Sequence, residues 1–308
     1  MQATLIFVSL VYLAIVVGIA LWCYRRTETE VDFLAAGRTI GPVVGGAVLA
    51  ATQISAGTFV GTFGRHYLTG ISWYYVWGGM WMGWLIAAVW VAPKLRAFGA
   101  LTVPDYIGAR FHSEAARVLS AILIIVSYTV YLVAQFQASG EIAQTVFGTS
   151  PIVGMLIIIA STAVYTLLGG VRGSSYIEFV QALIMAGGLM VAIPVLLYWT
   201  GGIGTAWHFL GSLDRRLTGM YYSWKELIGY GLAFGLSIAA APYTLTRFYS
   251  MRDERTARRA IAVSVLFQFL IGGSVLVLGM LMRVLFPVLP SEDQASSVMA
   301  FRVLPPLA

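Results

Sequence analysis

Charged residues, cysteine and histidine are all scarce in this sequence. Of its 308 residues, 10% are charged, three are histidine and one is cysteine, Cys23. A lone cysteine excludes an internal disulfide and a cluster of thiolate ligands. The histidines are far apart in the sequence and form no ligand pair, so we expect no structural metal and no cofactor. A membrane-embedded enzyme would need clustered nucleophiles, bases or metal ligands at bilayer depth, and the sequence shows none.

Apolar residues, in contrast, make up 59% of the chain, and the mean hydropathy is +0.84. This is more apolar surface than a soluble domain can bury. A helix needs about 20 consecutive, mainly apolar residues to cross the hydrocarbon core of a bilayer. Eight stretches meet this requirement: residues 5–24, 43–68, 72–93, 118–147, 152–170, 176–200, 227–250 and 261–286.

The positive charges indicate how these predicted spans are oriented. With the N-terminus outside, thirteen of the nineteen Lys and Arg residues fall in cytoplasmic segments, as the positive-inside rule requires.

The first stretch lacks a basic region before it and a small-residue cleavage site after it, so we expect a retained helix rather than a secretory signal. We therefore predict a multi-pass protein of the plasma (inner) membrane, with its N-terminus outside and the lipid bilayer around it. Since the net charge of +6 lies in short loops, no nucleic-acid partner is expected.

Two of the predicted spans, the second and the seventh, are interrupted by small and polar residues. Each contains a GxxxG pattern, Gly57 to Gly61 and Gly231 to Gly235, and the third span repeats it from Gly79 to Gly83. Such patterns are typical of close helix packing. Polar residues in the same two spans favour a further role, because they can satisfy a locally opened backbone. These are Thr52, Gln53, Ser55 and Thr58, and then Ser237, Pro242, Tyr243 and Thr244.

Interrupted segments at corresponding places in two halves of a transporter indicate a binding site near the bilayer midplane. Five crossings separate the starts of the two interrupted spans, so these spans run in opposite directions through the membrane, as an inverted repeat requires. The aromatic cluster Trp73, Tyr74, Tyr75 and Trp77, at the external end of the third span, is typical of an interfacial belt.

A series of short motifs runs along almost the whole chain. They are Gly37-Arg38, Ala50-Ala51-Thr52-Gln53-Ile54-Ser55-Ala56-Gly57-Thr58-Phe59-Val60-Gly61, Tyr67-x-x-Gly70, Tyr165-Thr166-x-x-Gly169-Gly170, Glu178-x-x-Gln181, Pro242-x-x-x-x-Arg247-Phe248 and Asp253-x-x-x-Ala257-Arg258-Arg259. In this order they resemble the sodium:solute symporter family. Within that family, the run from Thr52 to Gly61 looks closest to the pantothenate and monocarboxylate permeases.

The resemblance implies a fold as well as a family. It implies an all-α polytopic membrane protein with the leucine-transporter-type fold, an inverted repeat of five plus five helices preceded by one extra helix at residues 5–24. The first repeat would cover about residues 43–200 and an incomplete second repeat about 225–308. The chain would then be a single transmembrane domain and an N-terminal fragment, truncated after about eight transmembrane helices.

The resemblance also implies roles for particular residues. Ala51 and Ile54 match the backbone carbonyl donors to sodium, and a hard cation does take oxygen ligands. Gln53 and Ser55 match side chains that face the substrate, and Tyr243 matches an aromatic inner gate. Glu178, where the family more often has Asp, is either a point on the sodium exit path or an interfacial carboxylate paired with Arg172.

The function implied is sodium-coupled uptake of a small organic solute by alternating access, with sodium as the coupling ion. No Lys, Arg, Asp or Glu lies near the middle of a predicted span, which suits a small carboxylate or zwitterion, with pantothenate as one candidate. Proline-type members carry Asp at the position of Gln53, and sugar-type members carry Asn at that of Ala241, so both substrates are less expected. The alternative is the membrane sensor module of a symporter-like histidine kinase.

Overall fold

The described part of the chain is almost entirely helical. The computed structural model describes residues 2–55, 57–99 and 102–304. Its α-helices are α1 (Gln2–Tyr24), α2 (Glu30–Ala35), α3 (Pro42–Gln53), α4 (Phe63–Thr69), α5 (Tyr74–Ile86), α6 (Ala92–Phe98), α7 (Val103–Phe111), α8 (Glu114–Phe147), α9 (Pro151–Thr200), α10 (Ile203–Leu213), α11 (Trp224–Ala240), α12 (Pro242–Tyr249), α13 (Glu254–Leu285) and α14 (Ala295–Val298).

Short π-helical and 3₁₀ segments join several of these helices. The π-helical segments are Gly57–Thr62, Ala87–Val91 and Met299–Val303, and the 3₁₀ segments are Ala36–Arg38, Gly70–Trp73, Arg215–Thr218 and Glu292–Gln294. The described residues form no β-strand. They do form one isolated parallel bridge between Ile40 and Met251.

Six helical runs among the described residues are long and apolar enough to cross a membrane: Ile6–Tyr24, Gly57–Leu95, Glu114–Gln144, Pro151–Thr200, Trp224–Tyr249 and Glu254–Leu285. Two predicted spans, 152–170 and 176–200, lie in the single run α9. A kink at Gly170 divides α9 into two helices, because this residue has φ 55° and ψ −153°. A Cβ there would meet the Phe33 carbonyl oxygen at 2.7 Å, so both the conformation and the close approach require glycine.

The chain forms two compact units, and each combines segments from both halves of the sequence. Unit 1 comprises Met1–Thr52, Ala88–Val180 and Ala240–Val263, and unit 2 comprises Gln53–Ala87, Gln181–Ala239 and Ser264–Ala308. The chain passes from one unit to the other five times, and two of these passages, at Thr52/Gln53 and at Ala239/Ala240, lie within two residues of the breaks in the two interrupted spans. The predicted single domain with repeats at about 43–200 and 225–308 stays a prediction.

Within unit 1, the short segment before α3 is held in place by polar contacts. Thr29 and Asp32 form a capping box at the start of α2. Arg172 of α9 donates to Asp32 Oδ1 at 3.1 Å and to the Ala36 carbonyl at 3.2 Å. The Ile40 amide donates to the Ser250 carbonyl at 3.2 Å, which links the segments on either side of the bridge. The entry to α3 and the exit from α12 are therefore fixed to each other by backbone hydrogen bonds.

Within unit 2, helices α5 and α11 cross at their glycines. A Cβ on Gly79 would overlap the backbone of Gly231, and a Cβ on Gly83 would overlap that of Gly235. All four residues belong to GxxxG patterns, which allow backbones to approach this closely. The packing interpretation of these motifs is therefore confirmed at this crossing.

Candidate functional site

An ion pair that is largely shielded from solvent joins α9 to α12 in unit 1. The Arg247 guanidinium donates through Nη2 to Glu178 Oε1 and through Nη1 to the Ser174 hydroxyl at 3.3 Å. The Thr52 hydroxyl, in the last turn of α3, shares its one proton between the Val48 carbonyl at 2.7 Å and Glu178 Oε2 at 3.2 Å. Only 15% of the Arg247 side chain and 20% of the Glu178 side chain are exposed. Both carboxylate oxygens are thus bound by protein groups.

Glu178 pairs with Arg247, so the alternative that paired Glu178 with Arg172 is wrong, and the alternative of a sodium exit path stays a prediction. Arg172 instead binds Asp32, and it also donates to the Arg26 carbonyl at 2.8 Å. Residues 172 and 178 are six positions apart, which on a helix of about 3.6 residues per turn places them on different faces. Arg247 belongs to one of the sequence motifs, but it is 69 residues from Glu178 along the chain, so the sequence does not predict their contact.

The first interruption lies between α3 and the π-helical segment Gly57–Thr62. The helix ends at Gln53, while Ile54 and Ser55 are non-helical. The last four carbonyls of a helix lack intrahelical partners, and that of Ala51 is among them here. Ala51 belongs to unit 1, and Ile54 and Ser55 belong to unit 2. Both Ala51 and Ile54 are buried, with 9% and 7% of their surface exposed.

Ser55 begins the next helical segment in the manner of an N-cap. Its hydroxyl oxygen accepts a hydrogen bond from the Gly57 amide at 3.1 Å. Its carbonyl accepts from the amides of Thr58 at 2.9 Å and Phe59 at 3.2 Å. Ser55 therefore has a clear structural role at the break, in addition to the substrate contact predicted for it.

The side chain of Gln53 is oriented by a tryptophan of unit 2. The Trp84 indole N–H donates to Gln53 Oε1 at 2.8 Å. An indole nitrogen can only donate, so it fixes the amide oxygen toward Trp84 and leaves the Gln53 NH₂ group to donate elsewhere. Trp84 is fully buried, which makes this orientation a fixed feature of the helix end. Gln53 and Trp84 lie on different predicted spans, and no pattern in the sequence pairs them.

The second interruption lies between α11 and α12 at Ala241. Ala241 has an extended backbone with ψ 121°, and Pro242 follows at the start of α12. The Ala241 carbonyl accepts the amides of Thr244 and Leu245, both at 3.0 Å. Proline has no amide hydrogen to donate, so it suits the first turn of a helix and not its interior. The predicted break in the seventh span is thus present in the structure.

Tyr243, in the first turn of α12, packs against Tyr128 of α8 within unit 1. The two rings meet edge to face, with centroids 5.8 Å apart. The Tyr243 amide donates to the Tyr128 hydroxyl at 3.4 Å. Tyr243 is half-buried, so part of its ring remains accessible. Nothing in the sequence around Tyr128 distinguishes it from other tyrosines of an apolar helix, so the sequence does not predict this contact.

The aromatic cluster at the start of the third span is mostly buried, so its interpretation as an interfacial belt is wrong. Trp73 and Trp77 are only 7% and 4% exposed, whereas Tyr75 is 49% exposed. Trp73 packs against Tyr222, Tyr230 and Phe234. Aromatic content alone cannot separate a belt from a helix interface, because both use amphipathic rings.

Within the described residues, no group of three or more His, Cys, Asp or Glu side chains could hold a metal ion. The polar groups at the two interruptions are backbone carbonyls, an amide and hydroxyls. Carbonyl and hydroxyl oxygens are the ligands that hard cations take. The six long apolar runs and the two interrupted helices define a multi-pass helical membrane protein.

The comparisons with known proteins identify the family. The family model of the sodium:solute symporter family matches residues 33–305, so the chain belongs to this family. The chain is 28% identical to an uncharacterized symporter, YwcA, of Bacillus subtilis (strain 168), over 97% of this chain and 60% of that protein. It is 26% identical to the sodium/pantothenate symporter of Escherichia coli (strain K12), over 100% of this chain and 66% of that protein.

The other similarities agree with the fold and extend the range of named solutes. The high-affinity proline transporter PutP of Bacillus subtilis (strain 168) is 27% identical over 79% of this chain and 53% of its own length. A solved structure of a substrate-bound, outward-open Na⁺-coupled sialic acid symporter matches with a TM-score of 0.85 and 18% identity, covering 98% of this chain and 65% of that one. The predicted leucine-transporter-type fold is confirmed. The chain spans 53% to 66% of the length of these relatives.

Proposed function

We propose that the protein is a sodium-coupled symporter that takes up a small organic solute by alternating access. The observation that carries this proposal is the pair of helix interruptions, at Ile54 to Ser55 and at Ala241, in a chain of the sodium:solute symporter family. Interrupted helices at corresponding positions expose carbonyls and helix ends where a solute and an ion can bind together. The relatives named above are transporters, which supports transport over an enzymatic function.

For sodium, we propose the backbone carbonyls of Ala51 and Ile54 as donors. Ala51 lies in the last helical turn before the break, and Ile54 lies in the break itself. For the solute, we propose Gln53, Ser55 and Tyr243. The Gln53 amide that Trp84 leaves free would donate to a carboxylate, and the Tyr243 ring would close over the solute as an inner gate.

Glu178 is proposed as a point on the sodium exit path, and its contacts add a condition. Its carboxylate already binds Arg247 and Thr52. A sodium ion that passes this carboxylate would compete with the Arg247 guanidinium for the same oxygens, because both are cations. The path therefore requires the pair to loosen during the transport cycle.

The solute class we propose is a small carboxylate or zwitterion, with pantothenate as one candidate. Similar proteins are named for pantothenate, proline and sialic acid, so the class is broader than any one of these solutes. Gln53 is neutral, so an anionic group of the solute would not meet a fixed carboxylate there. We also propose that the protein lies in the plasma membrane with its N-terminus outside.

The test is an uptake screen with the full-length protein in liposomes. Labelled carboxylates and zwitterions, including pantothenate and proline, are offered with an inward gradient of sodium or of potassium. We expect at least one to enter faster with sodium.

Gln53→Ala and Ser55→Ala should raise the KM for that solute about tenfold, because each variant loses a hydrogen bond to the solute in a dry site. Ser212→Ala, at an exposed position, should leave this KM unchanged. Sodium-independent uptake of every compound would exclude the proposed coupling.

A further inference from the structure

One face of α5 carries a row of aromatic side chains with polar tips. Tyr74, Trp77, Trp81 and Trp84 are spaced by three and four residues, which puts them on one side of the helix. We call this set the aromatic row. It extends from residue 74 to residue 84, ten steps along the helix and about 15 Å along its axis. At one end Trp84 binds Gln53 at the helix break, so the row begins at a proposed solute contact.

The rest of the row has polar atoms without protein partners. The Tyr74 hydroxyl and the indole nitrogens of Trp77 and Trp81 are buried and form no hydrogen bond among the described residues. Trp77 is only 4% exposed. Buried polar atoms in native proteins are nearly always hydrogen-bonded, and lipid cannot supply a partner. Three such atoms on one helix face therefore indicate that something polar binds there.

Two further unpartnered atoms of unit 2 belong to the residues that surround the row. His66 is fully buried, its ring centroid is 6.2 Å from that of Tyr74, and its Nε2 has no partner. Gln268 of α13 is 1% exposed; its NH₂ group binds the Ser264 hydroxyl at 2.9 Å, while its Oε1 has no partner.

Helix α13 holds Gln268 beside the row. One turn after Gln268, a Cβ on Gly272 would lie 2.9 Å from the Trp77 ring. Phe269, the neighbour of Gln268, packs against Trp81 with a centroid distance of 6.0 Å. Because Gly272 has no side chain, the Trp77 ring packs directly against the backbone of α13. Gln268 is one turn away on the same side of that helix.

The chemistry of these atoms specifies the groups that would satisfy them. Indole nitrogens only donate, so Trp77 and Trp81 need oxygen acceptors. The Gln268 oxygen only accepts, so it needs a hydroxyl or an amide N–H. We propose that the aromatic row, with Gln268, is a solute subsite that selects carboxylates bearing additional hydroxyl or amide groups. A plain alkyl carboxylate offers its two oxygens at one end only and cannot satisfy this extended set.

This inference rests on the proposed transport function and specifies the substrate class further. Its test uses the full-length protein in liposomes with an inward sodium gradient. The hydroxylated or amide-bearing probes are 4-hydroxybutyrate and pantothenate, which carry polar groups away from the carboxylate, and the plain probes are propionate and butyrate. Wild-type protein should prefer the first pair in kcat/KM. Trp77→Phe and Trp81→Phe keep an aromatic ring, although a smaller one, and remove the donor, and Gln268→Leu removes the acceptor.

Each of these three variants should reduce the preference for the hydroxylated or amide-bearing probes about fivefold, mainly through a higher KM. A change of about fivefold corresponds to the loss of one hydrogen bond. Trp90→Phe is the matched control, because Trp90 is 62% exposed, and it should leave the preference unchanged. If one variant fails to fold, Tyr74→Phe repeats the measurement at the same row.

The outcomes separate the two proposals. Sodium-dependent uptake with the same preference in wild type and in the row variants would overturn the subsite and leave the transport function standing; it would mean that water alone satisfies the buried atoms. Absence of sodium-dependent uptake for every probe would overturn the transport function and the subsite with it.

Discussion

At the scale of single residues, the ion pair between Arg247 and Glu178 joins α12 to α9 in unit 1. Removal of one partner of a buried ion pair leaves the other charge without compensation, which costs about 3 to 5 kcal/mol when the pair is fully buried. Here 15% and 20% of the two side chains are exposed, which lowers the expected cost. The pair also tethers α12 to α9, so its loss should affect both stability and transport.

We predict that Glu178→Gln lowers the free energy of unfolding by about 2 kcal/mol, because Arg247 keeps its charge and loses its counter-ion. The double variant Glu178→Leu with Arg247→Met should recover most of this loss. Arg258→Gln breaks the exposed pair between Arg258 and Glu254 and should change stability by less than about 0.5 kcal/mol. Thermal unfolding in detergent measures all three. Equal losses in the single and double variants would contradict a specific pair.

Asp32 makes the stability of unit 1 depend on pH. The hydrogen bond from the Thr29 hydroxyl, assisted by Arg172, holds the pKa of the Asp32 carboxyl below its ordinary value of 3.8. A lowered pKa in the folded state gives stabilisation that is complete above the ordinary pKa and is lost as pH falls through the lowered one. Asp32→Asn should therefore melt below wild type at pH 6, and the two melting temperatures should converge below pH 3.8. A constant difference across this range would contradict the assignment.

At the scale of helices, the crossing of α5 and α11 depends on the absence of side chains. Gly83→Val should separate the two backbones and cost about 2 kcal/mol or more, as overpacking of a tight interface does. Gly78 is on the same helix, and a Cβ there meets nothing within 4 Å, so Gly78→Val should change stability by less than about 1 kcal/mol. Thermal unfolding compares them. Equal stability of the two variants would show that the crossing is loose.

The sequence predicted the positions of both interruptions because their cause is local. Proline at 242 and the polar run from Thr52 to Ser55 weaken a helix wherever they occur. Helix contacts were less predictable. One of the two alternatives for Glu178 paired it with Arg172, whereas its partner comes from α12. The aromatic cluster at residues 73–77 resembles an interfacial belt in the sequence, although Trp73 and Trp77 are buried. Pairing between helices depends on packing that composition does not encode.

At the scale of the whole molecule, the arrangement of positive charges predicts the orientation in the membrane. Lys225 and Arg255 are both exposed and lie in segments predicted to be external and cytoplasmic. In a Cys23→Ala background, Lys225→Cys should react with a membrane-impermeant maleimide in intact cells. Arg255→Cys should react only after permeabilisation. The opposite pattern would place the N-terminus inside.

Coupling to sodium is the central claim, and accumulation against a concentration gradient tests it most directly. Liposomes containing the full-length protein are loaded with potassium, diluted into sodium medium and given a labelled solute identified in the uptake screen. We predict that the internal concentration rises above the external one and then decays as the sodium gradient collapses. Entry that stops at equal concentrations, with or without sodium outside, would contradict sodium-coupled symport.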